Sequence, residues 1–162
     1  MRILIAGAGE VGRHLAKLLA REDHNITLMD ADSSRLQDLD MYDFMTREGN
    51  PTSVHDLKDC GVGRVDLFIA VTPYESINMT ACMIADNLGA AKTLARIDNY
   101  EYLLPKNKEF FASLGVDYLI YPEVLASQGI VESLRKNWMR QYLPFCDSEM
   151  ILLSVKVRSN SE

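Results

Sequence analysis

The sequence is poor in the features that mark secreted, metal-binding or membrane-spanning chains. Its 162 residues include three cysteines, Cys60, Cys82 and Cys146, widely separated and never in CxxC spacing. An odd, scattered set gives neither a disulfide framework nor a zinc site, and it suits a reducing cytosol. No apolar run approaches the roughly 20 residues that cross a bilayer. Residues 1–5 carry one positive charge and a short apolar run that meets glycine, too short a core for a secretory signal. That segment therefore reads as a strand, and the glycosylation spacing of Asn78-Met79-Thr80 carries no meaning. Positive charge is also scarce. Lys and Arg number 17 against 23 Asp and Glu, for a net charge of -6, which argues against the basic stripe of a nucleic-acid face. His14, His24 and His55 are scattered, with no acid or cysteine at catalytic or metal spacing.

What is present is a regular alternation of apolar runs and helical patterns. Ile3-Leu4-Ile5-Ala6 reads as a buried strand, followed by Val11, Leu15, Leu18 and Leu19 at helical spacing. Ile26-Thr27-Leu28-Met29 is a second strand ending at Asp30. Asp32, Ser33 or Ser34 can cap a helix carrying Leu36 and Leu39. Phe44-Met45-Thr46 is a weaker third strand, and Gly49-Asn50-Pro51-Thr52-Ser53 a loop of turn formers and N-caps. Val54 and Leu57 mark a short helix stopped by Gly61 and Gly63. Leu67-Phe68-Ile69-Ala70-Val71 is the most apolar strand, placed near the sheet centre. A helix over 75–88 stopping at Gly89, a strand at 93–97, helical turns around Pro105 and a strand at 116–120 complete the pattern. Strand and helix alternating at this pitch predict an α/β fold: a Rossmann-type, doubly wound parallel sheet with helices on both faces.

The C-terminal part reads differently. A helix from Pro122 through Trp138 has apolar positions on more than one stripe, so it covers its own sheet or a partner as well. Residues 150–157 look like a strand with no sheet to join, the first strand of a further domain.

Gly7-Ala8-Gly9-Glu10-Val11-Gly12 is a G-x-G-x-x-G turn that follows a strand, opens a helix and precedes Asp30 by 18 residues. In that context the pattern specifies a nucleotide site. Gly7 makes the tight turn, Gly9 lets a pyrophosphate approach backbone N–H groups, and Gly12 lets helix and strand pack closely. The helix N-terminus adds partial positive charge. A carboxylate at Asp30 accepts hydrogen bonds from both hydroxyls of an adenosine ribose and repels a 2′-phosphate. NAD is therefore favoured over NADP, while ATP, ADP and AMP are not distinguished from NAD. Asp32 is a helix cap or a ligand contact. Thr72 and Pro73 end the central strand on the same sheet edge as the glycine turn. Arg96, inside an apolar strand, reaches a phosphate or pairs with a carboxylate such as Glu75 or Glu123, with phosphate preferred. Tyr102-Leu103-Leu104-Pro105-Lys106 spells the Tyr-x-x-x-Lys of short-chain dehydrogenases, but Pro105 breaks the helix the pair would have to share. Arg135, Lys136 and Arg140 read as complements to a helix dipole rather than a lipid-binding patch.

Taken in order, the glycine turn, Asp30, Gly49-Asn50-Pro51-Thr52, Ala70-Val71-Thr72, Asn78, Ala95-Arg96-Ile97 and Leu119-Ile120-Tyr121-Pro122-Glu123 resemble the KTN/RCK domain family. The likeness covers about residues 1–140, and residues 150–157 resemble the first strand of the small domain that follows it. The resemblance implies a nucleotide-binding domain at 1–140, then a linker and a truncated C-terminal domain at 141–162. It implies NAD(H), or ATP and ADP as in some relatives, held by Gly7, Ala8, Gly9, Glu10 and Val11 with Asp30, Thr72, Pro73 and Arg96; Gly12 and Asp32 complete the candidate set from the residues themselves. It implies dimers assembled into a ring under a potassium-translocating membrane subunit, peripheral on the cytoplasmic face, with gating rather than catalysis as the output. Two family blocks differ here: Glu75-Ser76-Ile77-Asn78 replaces Asp-Glu-Thr-Asn, and Gly-Asn-Pro replaces Gly-Asp-Ala. The competing expectation is the cofactor half of an NAD-dependent oxidoreductase. It would need a substrate-holding element and a general acid or base that residues 121–162 do not obviously supply.

Overall fold

The computed structural model describes residues 1–39, 41–135, 139–145 and 150–155. Six strands form one parallel sheet: β1 (Arg2–Ala6), β2 (Asn25–Asp30), β3 (Met45–Glu48), β4 (Leu67–Ala70), β5 (Thr93–Arg96) and β6 (Tyr118–Ile120). Their order across the sheet is β3-β2-β1-β4-β5-β6. This is the doubly wound order, which reverses direction between β1 and β4 and opens a crevice at their carboxyl ends. The connecting helices are α1 (Glu10–Ala20), α2 (Val54–Asp59), α3 (Glu75–Asn87) and α4 (Pro105–Ser113).

Side-chain alternation along the strands divides the core into two layers. In β1, Ile3 and Ile5 join Leu28 and Ile69 on one face, while Leu4 and Ala6 join Met29, Phe68 and Ala70 on the other. Both layers are closed, which is why these strands read as continuous apolar runs. Phe68 is fully buried, and its truncation to alanine would cost about 3–5 kcal/mol.

Three sequence expectations change. The helix expected after Asp30 is only a 3-10 turn, Ser33–Leu36, ended by Gln37 in an extended conformation and followed by Asp38 at φ 60°. Ser, Asp and Asn side chains favour caps and turns over propagation, so one capped turn forms without a helix to extend it. The strand expected to start at Val116 starts at Tyr118, because the Asp117 carboxylate turns back to accept the Thr93 N–H at 2.9 Å. The strand expected to be without a partner, β8 (Met150–Val155), pairs antiparallel with β7 (Met139–Phe145), with Leu143 opposite Leu152.

The chain divides into two compact units, Met1–Pro122 and Glu123–Glu162. The first holds the whole six-stranded sheet. The second contains most of α5 (Pro122–Arg135) and the β7-β8 pair. Leu125, Ile130 and Val131 of α5 are exposed; Lys136 and Trp138 lie outside the described residues. No helix among the described residues is long and apolar enough to cross a membrane.

Candidate functional site

The carboxyl ends of β1, β2, β4 and β5 meet at the glycine turn. Gly7 has φ 109° and donates its N–H to the Met29 carbonyl at 2.8 Å. A methyl at Gly7 would lie 2.9 Å from Thr72 N, and one at Gly12 only 1.8 Å from the Gly7 carbonyl oxygen. The fold itself therefore requires these two glycines, one for its left-handed conformation and one for backbone contact. Gly9 differs. Its φ is -70°, and a methyl there would meet nothing within 4 Å. Nothing among the described residues demands glycine at that point, and the space above it is open.

Gly9 is the N-cap of α1 and offers no side-chain cap, so the first N–H groups of that helix have no side chain closing them off. Asp30 is buried and organises the opposite wall. Its Oδ2 accepts the Ala8 N–H at 2.7 Å and its Oδ1 the Asp32 N–H at 2.9 Å. An ionised carboxylate has about four acceptor positions, so capacity remains for ribose hydroxyls. Arg35 Nη1 stands 3.9 Å from Asp30 Oδ2, and Arg35 Nε 3.5 Å from Asp32 Oδ2. The Arg35 carbonyl accepts from the Arg13 guanidinium, through Nε at 3.0 Å and through Nη2. Asp32 caps the 3-10 turn, accepting the Ser34 N–H at 3.0 Å and the Ser34 hydroxyl at 2.6 Å. Those two bonds, the hydroxyl's first, hold its carboxyl below the usual aspartate range.

On the other side, Asn78 of α3 is buried and fully engaged. Its Oδ1 accepts the Thr72 N–H at 2.9 Å and the Thr72 hydroxyl at 2.7 Å, while Nδ2 donates to the Thr72 carbonyl at 3.0 Å and the Arg96 carbonyl at 2.9 Å. Arg96 Nη2 lies 3.5 Å from Asp98 Oδ1, and its Nε is buried with no hydrogen-bond partner among the described residues. Glu75, one of the two acids expected there, is not its ion-pair partner among the described residues. Glu75 instead accepts the N–H groups of Asp98 and Asn99, each at 2.7 Å.

The predicted residues thus fall into one crevice. Gly7, Ala8, Asp30, Asp32 and Thr72 are linked by contacts, Gly9 opens onto them, and Asn78 joins Arg96 to Thr72. Glu10, Val11 and Pro73 are exposed at its rim. Two features fit a nucleotide here: the space over Gly9 suits a pyrophosphate, and the orphaned Arg96 Nε is a donor for an anion. Asn78 and Arg35 were missed as organisers of this crevice. The available signal for Asn78 was an amide on the helix face that also carries Ala81, Cys82 and Ala85, all buried.

The remaining candidates separate from this crevice. Tyr102 lies in a 3-10 turn, Tyr100–Leu103, and Lys106 in α4, which Pro105 begins. His55 is an exposed helix histidine, with Nδ1 3.2 Å from Asp59 and 3.4 Å from Asp56. The cluster is solvent-exposed, an i to i+4 pair on a helix surface. Burial pushes the Cys82 thiol up to about 12, a core sulfur rather than a nucleophile. Cys146 lies outside the described residues.

The TrkA-N domain family matches residues 3–122. The chain is 38% identical over 159 residues to the Trk system potassium uptake protein TrkA of Haemophilus influenzae, a match covering 96% of this chain and 35% of that protein. The chain therefore spans about a third of that relative's length. Among solved structures, the TrkA-N domain of the Escherichia coli inner membrane protein ybaL superposes with a TM-score of 0.70 at 16% identity, covering 82% of this chain and 96% of that one. The GsuK channel bound to NAD superposes with a TM-score of 0.60 at 20% identity, covering 74% of this chain and 21% of that one. At such identities the structures establish a shared fold.

Proposed function

The chain belongs to the TrkA-N domain family, and from that premise we propose that it is the nucleotide-sensing part of a regulatory subunit of a potassium-uptake system. The observation that carries the reading is the contrast among the three glycines. Gly7 and Gly12 are required by contacts within the chain, and Gly9 by none. A residue kept small where the fold allows a side chain leaves room for a ligand, and its position at a helix N-terminus suits phosphate. Residues 7–12 hold the phosphates, Asp30 the ribose, and Thr72, Pro73 and Arg96 the far side of the crevice, with Asp32 bracing the ribose acid. The ligand is NAD(H), with ADP or ATP admitted by the same ribose contacts.

On this reading residues 1–140 act as the sensor and 141–162 lead into a further small domain. Copies of the subunit pair and assemble into a ring on the cytoplasmic face of a potassium-translocating membrane protein. The subunit carries out no catalysis of its own. Gating follows from unequal affinity of the ligand for two states of the assembly, the only source of a ligand-driven shift. The first test is calorimetric titration of NAD, NADH, ATP and ADP into the purified chain and into Gly9→Ala. The expected result is binding by the parent and a loss of about 100-fold in the variant, with unfolding free energies within about 0.5 kcal/mol of each other. Equal affinity in the two proteins would remove the pyrophosphate from Gly9, and absence of heat from all four nucleotides would end the sensor reading.

A further inference from the structure

The first two turns of α3 carry two side chains that neither bind ligand in the proposal above nor fill the core in the ordinary sense. Glu75 and Asn78 are three residues apart and so share a helix face. Asn78 spends three of its four hydrogen bonds on the backbone of Thr72, after β4, and of Arg96, at the end of β5, and the fourth on the Thr72 hydroxyl. Glu75 reaches past Arg96 and Ile97, gathering the N–H groups of Asp98 and Asn99 on one oxygen. Asn99 in turn caps the following 3-10 turn, accepting the Glu101 N–H at 3.0 Å. Arg96 lies between the two clamps, with its side chain toward Asp98 and its Nε unpartnered.

We propose that Glu75 and Asn78 are positioning residues that join the Thr72 and Arg96 side of the nucleotide crevice to the 98–103 segment, so that nucleotide binding is reported there as a tightening of that segment. The inference rests on the nucleotide reading of the crevice. Its physical basis is a short chain of bonds with no slack. Thr72 backs directly onto Gly7, where a single methyl would already be too close. A ligand that fixes Thr72 and draws on Arg96 therefore fixes Asn78, and with it the start of α3. Glu75, one turn back on the same helix, holds the 98–99 peptides in register with that start. The Arg96–Asp98 pair is half-exposed and weak, so drawing Arg96 toward an anion sacrifices little of what holds the segment.

Amide hydrogen exchange of the Asp98 and Asn99 N–H groups, measured by NMR with and without saturating NADH, reads the tightening directly. The parent chain is expected to slow at both amides by about tenfold or more when NADH is bound, the size of a local-opening change. Glu75→Ala is expected to bind NADH within about threefold of the parent, since Glu75 touches no proposed ligand position, and to show no ligand-dependent slowing at 98–99. Glu75→Gln retains an acceptor oxygen and should restore the response, a rescue that a merely structural role would not require. Unchanged or faster exchange at 98–99 in NADH-saturated parent chain overturns the coupling and leaves nucleotide binding intact. Slowing that persists in Glu75→Ala also overturns it. No calorimetric binding of NADH by the parent overturns the nucleotide reading and this inference together.

Discussion

The two edges of the one sheet are built with the same device and finished differently. At both, an acidic side chain accepts a backbone N–H and thereby fixes a strand end. At the amino edge, Asp66 accepts the Arg2 N–H at 2.7 Å, and Asp117 the Thr93 N–H at 2.9 Å. Each of these acids also has a cation of its own, Arg2 at 3.6 Å and Lys92 at 2.8 Å. The amino edge is therefore closed within itself. At the carboxyl edge, Asp30 fixes Ala8 and Asp32 while its nearest cation, Arg35, stands off at 3.9 Å, and a second cation, Arg96, keeps a buried N–H without a partner among the described residues. A cavity of about 680 Å³, lined by residues such as Arg2, His24, Tyr42, Met45 and Arg64, opens at the amino edge. Spare hydrogen-bonding capacity, rather than cavity size, distinguishes the edge proposed above to hold the nucleotide.

The largest expected effect breaks the glycine turn itself. Gly12→Ala forces a methyl to 1.8 Å from the Gly7 carbonyl oxygen, backbone against backbone, where no side chain can yield. Urea unfolding should show a loss of about 3 kcal/mol or more. A variant as stable as the parent would mean that the close packing at this turn is not what requires glycine.

The next separates the edges. Asp117→Ala leaves the Thr93 N–H, on a fully buried residue, without its acceptor. That should cost about 1–3 kcal/mol in the same measurement and leave nucleotide affinity unchanged. Arg96→Met is the reverse case. It removes a donor that is buried and unpaired, so free-state stability should hold or rise by up to about 1 kcal/mol, while nucleotide affinity falls about tenfold. If Asp117→Ala weakened binding and Arg96→Met did not, the division of labour between the edges would be mistaken.

Much of this was legible in sequence because it depended on local pattern. The central strand, the glycine turn and Asp30 are each specified within a few residues, and their spacing implies the crossover order. The expected strand and helix boundaries failed where a side chain competed with the backbone, as at Ser33–Leu36 and at Asp117. The partners of Arg96 were not legible either. Glu75 and Glu123 were plausible acids, but Glu75 is engaged with backbone N–H groups and Asp98, two residues along, takes the guanidinium. Asn78 was visible as a polar residue on an apolar helix face. Its four bonds required the tertiary structure, because Thr72 and Arg96 are 24 residues apart in sequence and are brought within reach of one side chain only by the fold.

The smallest effect concerns pH and tests how evenly the shared device is distributed. Asp66 lies below the ordinary aspartate value of 3.8, held there first by the Arg2 N–H, and Asp56 likewise, first by the Asn50 N–H. For Asp117 the largest influence is burial, which pushes upward, but the Lys92 and Thr93 bonds together outweigh it and the net shift is downward. A carboxyl whose folded value is depressed stabilises the fold above its unfolded value and loses that contribution as pH falls through the folded one. Thermal midpoints should therefore be level from neutral pH down to about 5 and decline below about 4, as protons bind the unfolded state first. Asp66→Asn removes one such group at the amino edge and Asp56→Asn one beside the β3 loop at the carboxyl edge. Each should flatten the acid limb slightly and by a similar amount, since both groups are solvent-accessible and their bonding is alike. A much steeper dependence on Asp56 would show that the carboxyl edge relies on its carboxylates more heavily than the amino edge even without ligand.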